Sequence, residues 1–230
     1  MSRAVANDEP VGRIGRPRLK PRPTSGDPTE EILTAAARLF GELGYGATSM
    51  ARIASDAGLR QSSLYYYFHS KEDVLAAIVA RANVVPLELL DRIEAAGGPA
   101  SVRLYRFVHG DVLALCALGF DINEVHRQAA LDRERFADYW RERRALRRRI
   151  AAILRDGAVA GVFREVDYAL VALTVMSNDE AVQNWLRVSR ELSRDASAAA
   201  VAVADLAVGG LLAAPKRLSA VRRDALDSFR

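Results

Sequence analysis

The chain has 230 residues, half of them apolar and 27% charged, with 15 glycines, 8 prolines, one cysteine and a formal net charge of +4. That length and apolar content suit a real hydrophobic core in one or two domains and exclude a disordered or collagen-like chain. Cys116 alone cannot form a disulfide framework or a thiolate zinc cluster, and His69, His109 and His126 are too few for a histidine metal site, so neither metal nor cofactor is expected.

Residues 1–26 contain Pro10, Pro17, Pro21 and Pro23 and no periodic apolar pattern, which predicts a flexible, extended arm. Through Asp27 the segment carries Arg3, Arg13, Arg16, Arg18, Lys20 and Arg22 against Asp8, Glu9 and Asp27, a net charge of +3. A basic arm ahead of a folded domain points to a polyanionic partner, with a solvated tail as the plain alternative. It has no apolar core of the signal-peptide kind, and a reducing cytoplasm is the expected compartment.

Helical signals begin at Asp27-Pro28-Thr29-Glu30, where Asp27 caps, Pro28 suits the first turn and Glu30 takes the capping-box position. Ile32, Leu33, Ala36, Leu39 and Phe40 then mark one helix face, and Gly44 ends it. Thr48 or Ser49 caps a short second helix with Met50, Ile53, Ala54 and Ala57 on its apolar face, and Gly58 stops it. A third, about 61–68, sets Leu64 and Phe68 on one face. Ser70-Lys71-Glu72-Asp73 opens a fourth through Val74, Leu75, Ile78 and Val79. Pro86 predicts a kink or break near Ala82–Val85, and Gly97-Gly98-Pro99 is a stop.

Beyond that stop, helical runs cover about 101–119, 122–130, 133–160, 167–187 and 195–213. Pro215 closes the last, and Leu218, Val221, Ala225 and Phe229 outline a further short amphipathic helix. Residues 215–230 otherwise read as a basic tail of net charge +3. The 19 residues Ala196 to Ala214 carry a single charge, Asp205, near the middle. A central Asp opposes membrane insertion by roughly 2.5–3.5 kcal/mol, so this stretch reads as a buried core or interface helix and no membrane contact is expected.

Residues 48–68 are the informative part. Two short helices joined by a glycine turn and packed on a longer first helix make a helix-turn-helix. Leu39, Phe40, Ile53, Leu64 and Phe68 can close its core. That leaves Gln61, Ser62, Ser63, Tyr65, Tyr66 and Tyr67 pointing outward. Three consecutive tyrosines are poorly used in water but suit a duplex, where rings pack on sugars and hydroxyls bond phosphates or base edges.

Thr48-Ser49-Met50-Ala51-Arg52-Ile53-Ala54 through Gly58, then Ser63-Leu64-Tyr65-Tyr66-Tyr67-Phe68-His69-Ser70-Lys71-Glu72-Asp73-Val74-Leu75, closely resembles the signature of TetR-type transcriptional repressors. The resemblance covers residues 28–75; over 100–213 helical pattern and length agree. It implies an all-α protein, with an N-terminal three-helix helix-turn-helix domain followed by an all-helical ligand-binding and dimerisation domain. The parts are a flexible basic arm (1–26), the DNA-binding domain (27–75), the ligand-binding and dimerisation domain (76–214) and a basic C-terminal tail (215–230). By position, Gln61, Ser62 and Tyr66 match base readers, and Thr48, Ser49, Ser63, Tyr65, Tyr67 and Lys71 match phosphate contacts. The expected function is a repressor released from a palindromic DNA operator by a small molecule. The alternative is an architectural or ligand-independent DNA-binding protein. An enzyme is not expected, because no phosphate loop, metal spacing or nucleophile beside a base is present.

The head itself is acidic: Arg38, Arg52, Arg60 and Lys71 stand against Glu30, Glu31, Glu42, Asp56, Glu72 and Asp73, a net −2 over residues 28–75. Phosphate neutralisation dominates DNA affinity, so the arm is the expected source of charge. Within it Gly15-Arg16-Pro17-Arg18 resembles the core of a minor-groove AT-hook, which would place Arg16 and Arg18 along a narrow A·T-rich groove.

For the second domain the resemblance implies a pocket between helices. Phe107, Cys116, Phe120, Phe136, Trp140, Met176, Asn178 and Trp185 are the candidate lining residues, each with ordinary core as the alternative. Asn178, Asp179 and Glu180 interrupt an apolar run and mark a kink or a polar spot in that pocket. The arginines at 141, 143, 144 and 147–149 form either a solvated face or the mouth for an anionic effector. The effector is therefore expected to be apolar or acyl-coenzyme A-like. Homodimerisation is expected through 167–187 and 195–213, where small residues allow close helix approach, or else 195–213 is internal core.

Overall fold

A computed structural model describes residues 26–188 and 195–227. Arg16 and Arg18, and Phe229 of the expected last helix, lie outside the described residues. The described chain is all-α: α1 (Pro28–Leu43), α2 (Met50–Asp56), α3 (Gln61–Tyr67), α4 (Lys71–Arg81), α5 (Val84–Ala96), α6 (Ala100–Ala117), α7 (Ile122–Leu131), α8 (Ala137–Val159), α9 (Tyr168–Val188), α10 (Ala196–Gly209) and α11 (Leu218–Asp227). No helix among the described residues is long and apolar enough to cross a membrane.

Local chemistry explains the first helices. The Asp27 carboxylate accepts from the Thr29 amide at 2.8 Å and Pro28 opens α1. Gly44 ends it at φ 84°, a conformation that favours glycine. Glu30, at the capping-box position, pairs with Arg81 at the far end of α4. Ser49, not Thr48, caps α2, its Oγ accepting from the Arg52 amide at 3.3 Å. Ser70 caps α4 by accepting from the Asp73 amide. Ile32, Leu39, Phe40, Ile53 and Leu64 are buried together, with Phe68 half-buried against them.

The expected break at Pro86 is real. α4 stops at Arg81 and α5 starts at Val84, so Pro86 falls in the first turn, where its missing amide costs no intrahelical bond. Buried Asn83 fastens this joint to α8, its Nδ2 donating to the Tyr139 carbonyl at 3.0 Å and to Glu142 at 3.3 Å. α8 begins at Ala137 rather than 133, because 132–136 form a turn in which Asp132 accepts from the Arg135 amide.

α6 is the axle of the second domain, with Leu104, Tyr105, Phe107, Val108 and Val112 fully buried. α5, α8, α9, α10 and α11 all pack on it. α10 lays Ala200, Val203, Ala204 and Val208 inward, and its lone charge is answered: Asp205 accepts from the Tyr105 hydroxyl at 3.0 Å and pairs with Arg222 of α11. Residues 215–227 are therefore not a loose tail. A 3-10 turn leads into α11, whose last carbonyls, at Asp224 and Ala225, accept from the buried Arg106 guanidinium. A cation there complements the helix dipole. Between α8 and α9, buried Phe163 lies so close to Gly157 that a Cβ there would sit 2.1 Å from the ring, and a short antiparallel bridge joins Phe163 to Leu212.

Candidate DNA-binding surface and effector cavity

Leu64 is wholly buried and pins α3, while on its outer face Tyr66 is 82% exposed, Tyr65 43% and Tyr67 39%. The Tyr66 and Tyr67 rings meet edge to face at 5.2 Å, which limits their freedom before any partner arrives. Gln61 and Ser62 are exposed beside them, Ser63 half-buried. This is a rigid ledge of aromatic rings and short polar groups, held out by a buried leucine.

Two expected phosphate contacts have other work. Thr48 is buried, and its hydroxyl donates to the carbonyls of Gly44 at 3.0 Å and Leu39 at 3.3 Å. It ties off the C-terminal end of α1. The Lys71 ammonium donates to the carbonyls of Tyr45 at 2.8 Å and Thr48 at 2.9 Å, reaches Gly46 at 3.4 Å, and lies 4.3 Å from the centre of the Tyr45 ring. It clamps the α1–α2 turn to the start of α4. The Tyr45 hydroxyl donates to Glu72 at 3.0 Å; burial and that bond push the phenol up to about 12. Ser49 is exposed at its cap position.

The acidity of the head is largely answered within the fold. Glu30 pairs with Arg81, Glu42 and Asp56 with Arg38, and Asp73 with Arg135. Two of those partners come from outside the head, so the tally over 28–75 overstates its negative charge. Arg52, in the first turn of α2, and Arg60, just before α3, are exposed and make no ion pair among the described residues. Both border the same surface cleft as Gln61. Arg60 directly precedes Gln61 in the sequence, and that adjacency is its signal.

In the second domain a small enclosed cavity, with about 30 Å3 open to the centre of a water molecule, is bounded by Arg81, Ala82 and Asn83 at the end of α4, by Asp111, and by Arg143, Met176 and Glu180. Arg143 donates to Glu180 at 2.7 Å, and His126 Nε2 lies 3.0 Å from the other oxygen. Burial pushes Glu180 up, but these two contacts outweigh it and hold the carboxyl below its usual value. Asp111 is pushed up to about 7 by burial and by Glu180, against the pull of Arg143. Asp179, fully buried, is held well above the carboxylate range by burial, Asp111 and Glu180. Among the described residues no three His, Cys, Asp or Glu side chains converge as a metal site.

The expected lining residues do not all share one space. Met176 borders this cavity. Cys116 and Phe120 border a second, wider cleft of about 290 Å3, which lies between α1 and the α6–α7 turn and is also lined by Gln183. Gln183 there donates to the carbonyls of Leu115 and Phe120 and accepts from the Ile122 amide. Phe107 and Phe136 are core, and Trp140 packs on it with its indole donating to the Ala129 carbonyl. Asn178 and Trp185 border neither space, and Trp185 is 41% exposed. Nor do the α8 arginines form one mouth: Arg143 turns inward to Glu180, Arg149 grips Asp91 and Glu94 of α5, and Arg141 pairs with Asp138. Of the polar spot expected at 178–180, Glu180 borders the cavity; Asp111, an acid on the buried face of α6, is a lining group that the sequence reading did not name.

A short tyrosine-faced helix presented by two others, joined through α4 to an all-helical domain with an internal cavity, defines a helix-turn-helix regulator. The comparisons agree. The family model for bacterial regulatory proteins of the tetR family matches residues 32–78, and that for the tetracyclin repressor-like C-terminal domain matches 98–211. The crystal structure of Mycobacterium smegmatis AmtR is 30% identical, with a TM-score of 0.70 over 90% of this chain and 98% of that one. The chain belongs to the TetR family. AibR, solved with isovaleryl coenzyme A and operator DNA, shares the fold at 23% identity and TM-score 0.69, covering 82% of this chain and 99% of that one. The HTH-type transcriptional regulator AcrR of Shigella flexneri is 33% identical over 82 residues, or 35% of this chain. The match spans about two fifths of the length of such curated relatives, 38% for AcrR and 41% for LmrA of Bacillus subtilis.

Proposed function

We propose that the chain is a cytoplasmic homodimeric repressor that binds a palindromic operator and releases it when a small molecule enters the second domain; it is a regulator, not an enzyme. The observation that carries this is α3 itself: Tyr66 stands 82% exposed over a fully buried Leu64, beside exposed Gln61 and Ser62. Gln61, Ser62 and Tyr66 read base edges, while Ser49, Ser63, Tyr65, Tyr67, Arg52 and Arg60 hold phosphates. Arg16 and Arg18 of the arm add minor-groove charge.

The dimer forms through the outer faces of α9 and α10. Leu170 (60% exposed), Leu173 (43%) and Leu206 (71%) are large apolar side chains in water on these two helices, both of which pack on α6. A second copy covers them with a two-fold contact, which a palindrome requires.

α4 links the two functions. Its last residue, Arg81, and the joint Ala82–Asn83 border the cavity, while its first, Lys71, clamps the α1–α2 turn. A ligand that favours one shape of the cavity shifts α4 and with it the spacing of two reading heads, a population shift. Selection of operator sequences from random duplexes with the full chain tests the reading. A palindrome with half-sites about one helical turn apart supports it; unselective recovery of duplexes would instead mark an architectural protein.

A further inference from the structure

α1 of the head and the end of α6 do not close on each other completely. Between them lies the cleft of about 290 Å3. Its head side is one face of α1, at Ala37, Arg38, Gly41 and Glu42, which are helix neighbours three and four apart. Its other side is Leu115 and Cys116 at the end of α6 and the turn 118–121. Beside it the two sides touch: a Cβ on Gly41 would lie 3.4 Å from the Asp121 Cβ, and one on Gly119 would lie 3.8 Å from the Thr34 methyl. The gap is thus a pocket set between contacts, not a parting of the two domains.

The polar groups that line it are already spent. Arg38 donates to Glu42 and Asp56. Asp121 caps α7, accepting from the Asn123 amide and side chain. Both ends of the Gln183 amide are bonded to backbone. No lining side chain has a buried polar atom without a hydrogen-bond partner among the described residues. What remains is apolar: Ala37, Leu115, Leu118, Phe120 and the half-buried Cys116, whose thiol burial pushes up and so keeps weakly nucleophilic. A charged ligand would lose its water there with no partner to replace it. A peptide segment would bring backbone amides and carbonyls to the same spent wall. An apolar cavity of about 150 Å3 takes up benzene, so a space of about 290 Å3 suits roughly two rings. The inner cavity shares the Leu115 and Leu118 walls, but at about 30 Å3 it admits no ring.

We propose that this cleft binds an uncharged, apolar compound of about two rings, seated between Ala37 of α1 and the Leu115, Cys116 and Phe120 side of the second domain. The site is separate from the inner cavity and does not depend on the effector or operator reading above. Because one wall is α1, the bound compound touches the head directly and fixes the distance between α1 and the α6–α7 turn. Cys116 borders the same space, and as the one cysteine of the chain its thiol reports whether the cleft is filled.

Prodan, an uncharged naphthalene whose emission moves to the blue in apolar surroundings, tests this with the full chain. Saturable binding of one prodan per chain is expected, with the anionic anilinonaphthalene sulfonate at least about tenfold weaker. Saturating prodan should slow alkylation of Cys116 by N-ethylmaleimide about fivefold or more, because the thiol is then covered. Cys116→Phe, checked for unchanged helicity, puts a ring into the cleft and should weaken prodan about tenfold or more. The alkylation assay uses the wild-type chain, so it decides the matter even if that variant fails to fold. Absence of saturable binding, equal affinity for the sulfonate, full affinity in Cys116→Phe, or an unchanged alkylation rate overturns the proposal. Prodan held instead by the exposed leucines of α9 and α10 would give the last two results and counts against it. DNA is absent throughout, so failure here leaves the operator reading intact.

Discussion

Lys71→Met separates a clamp from a phosphate contact. The ammonium donates to two carbonyls within 3 Å, at Tyr45 and Thr48, and lies 4.3 Å from the Tyr45 ring centre. Hydrogen bonds from a charged donor contribute about 1.5–3 kcal/mol each where water cannot replace them; Lys71 is half-exposed, so water recovers part of that. The methionine keeps the stem but loses the bonds and about 0.5–1 kcal/mol of cation–π attraction. A net loss of about 2 kcal/mol follows, and for a chain of this size it lowers Tm by roughly 4–8 °C. Thermal unfolding followed by circular dichroism measures this, and a DNA titration over salt concentration measures the other role. A phosphate contact would leave Tm in place and reduce the salt slope by about 1. An unchanged Tm with a reduced slope refutes the clamp.

Other perturbations probe the remaining fold. Gly157→Ala drives a Cβ into the Phe163 ring, 2.1 Å away, and should destabilise by about 1–3 kcal/mol, read as a lowered denaturant midpoint. Leu206→Lys puts a charge on the exposed face of α10; sedimentation should give a monomer with helicity intact, and operator affinity should fall. Asp111 holds its proton up to about 7 in the fold but only to its ordinary 3.8 when unfolded, so the folded state binds more protons across that window. Stability accordingly falls as pH rises from 5.5 to 8 and levels off above, and Asp111→Asn should flatten the fall. A Tm that rises over that range in the wild-type chain would contradict the buried-acid account.

The helix boundaries were legible because they are local. Asp27, Ser70, Gly44 and Pro86 act on their immediate neighbours, and each starts, ends or breaks a helix where its chemistry requires. What the sequence concealed depends on distant partners. Glu30 stands at a capping position, yet its ion-pair partner is Arg81, 51 residues on. α11 was visible as an amphipathic pattern, but its docking relies on Arg106, more than a hundred residues earlier. Thr48 and Lys71 are polar residues beside a DNA-reading helix, and nothing in their order says that backbone carbonyls hold them instead. The cavity was legible in part. Met176 and the polar stretch at Glu180 border it as expected, whereas Phe107 and Phe136 fill core and the rest of the wall comes from Asp111, Arg143 and the α4–α5 joint. Asp111 sits among Phe107, Val108, Val112 and Leu115, and that acid on a buried face was the usable signal.

The central claim is that α3 reads DNA through its exposed face. Binding of Gln61→Ala and Tyr66→Ala to the selected palindrome, and to an unrelated duplex at the same salt, measures it directly. Base readers contribute about 1–3 kcal/mol each, so each variant should lose roughly 5- to 150-fold in affinity for the palindrome. Binding to the unrelated duplex and Tm should hardly change, since Tyr66 is 82% exposed. Full discrimination of the palindrome by the double variant would contradict the account.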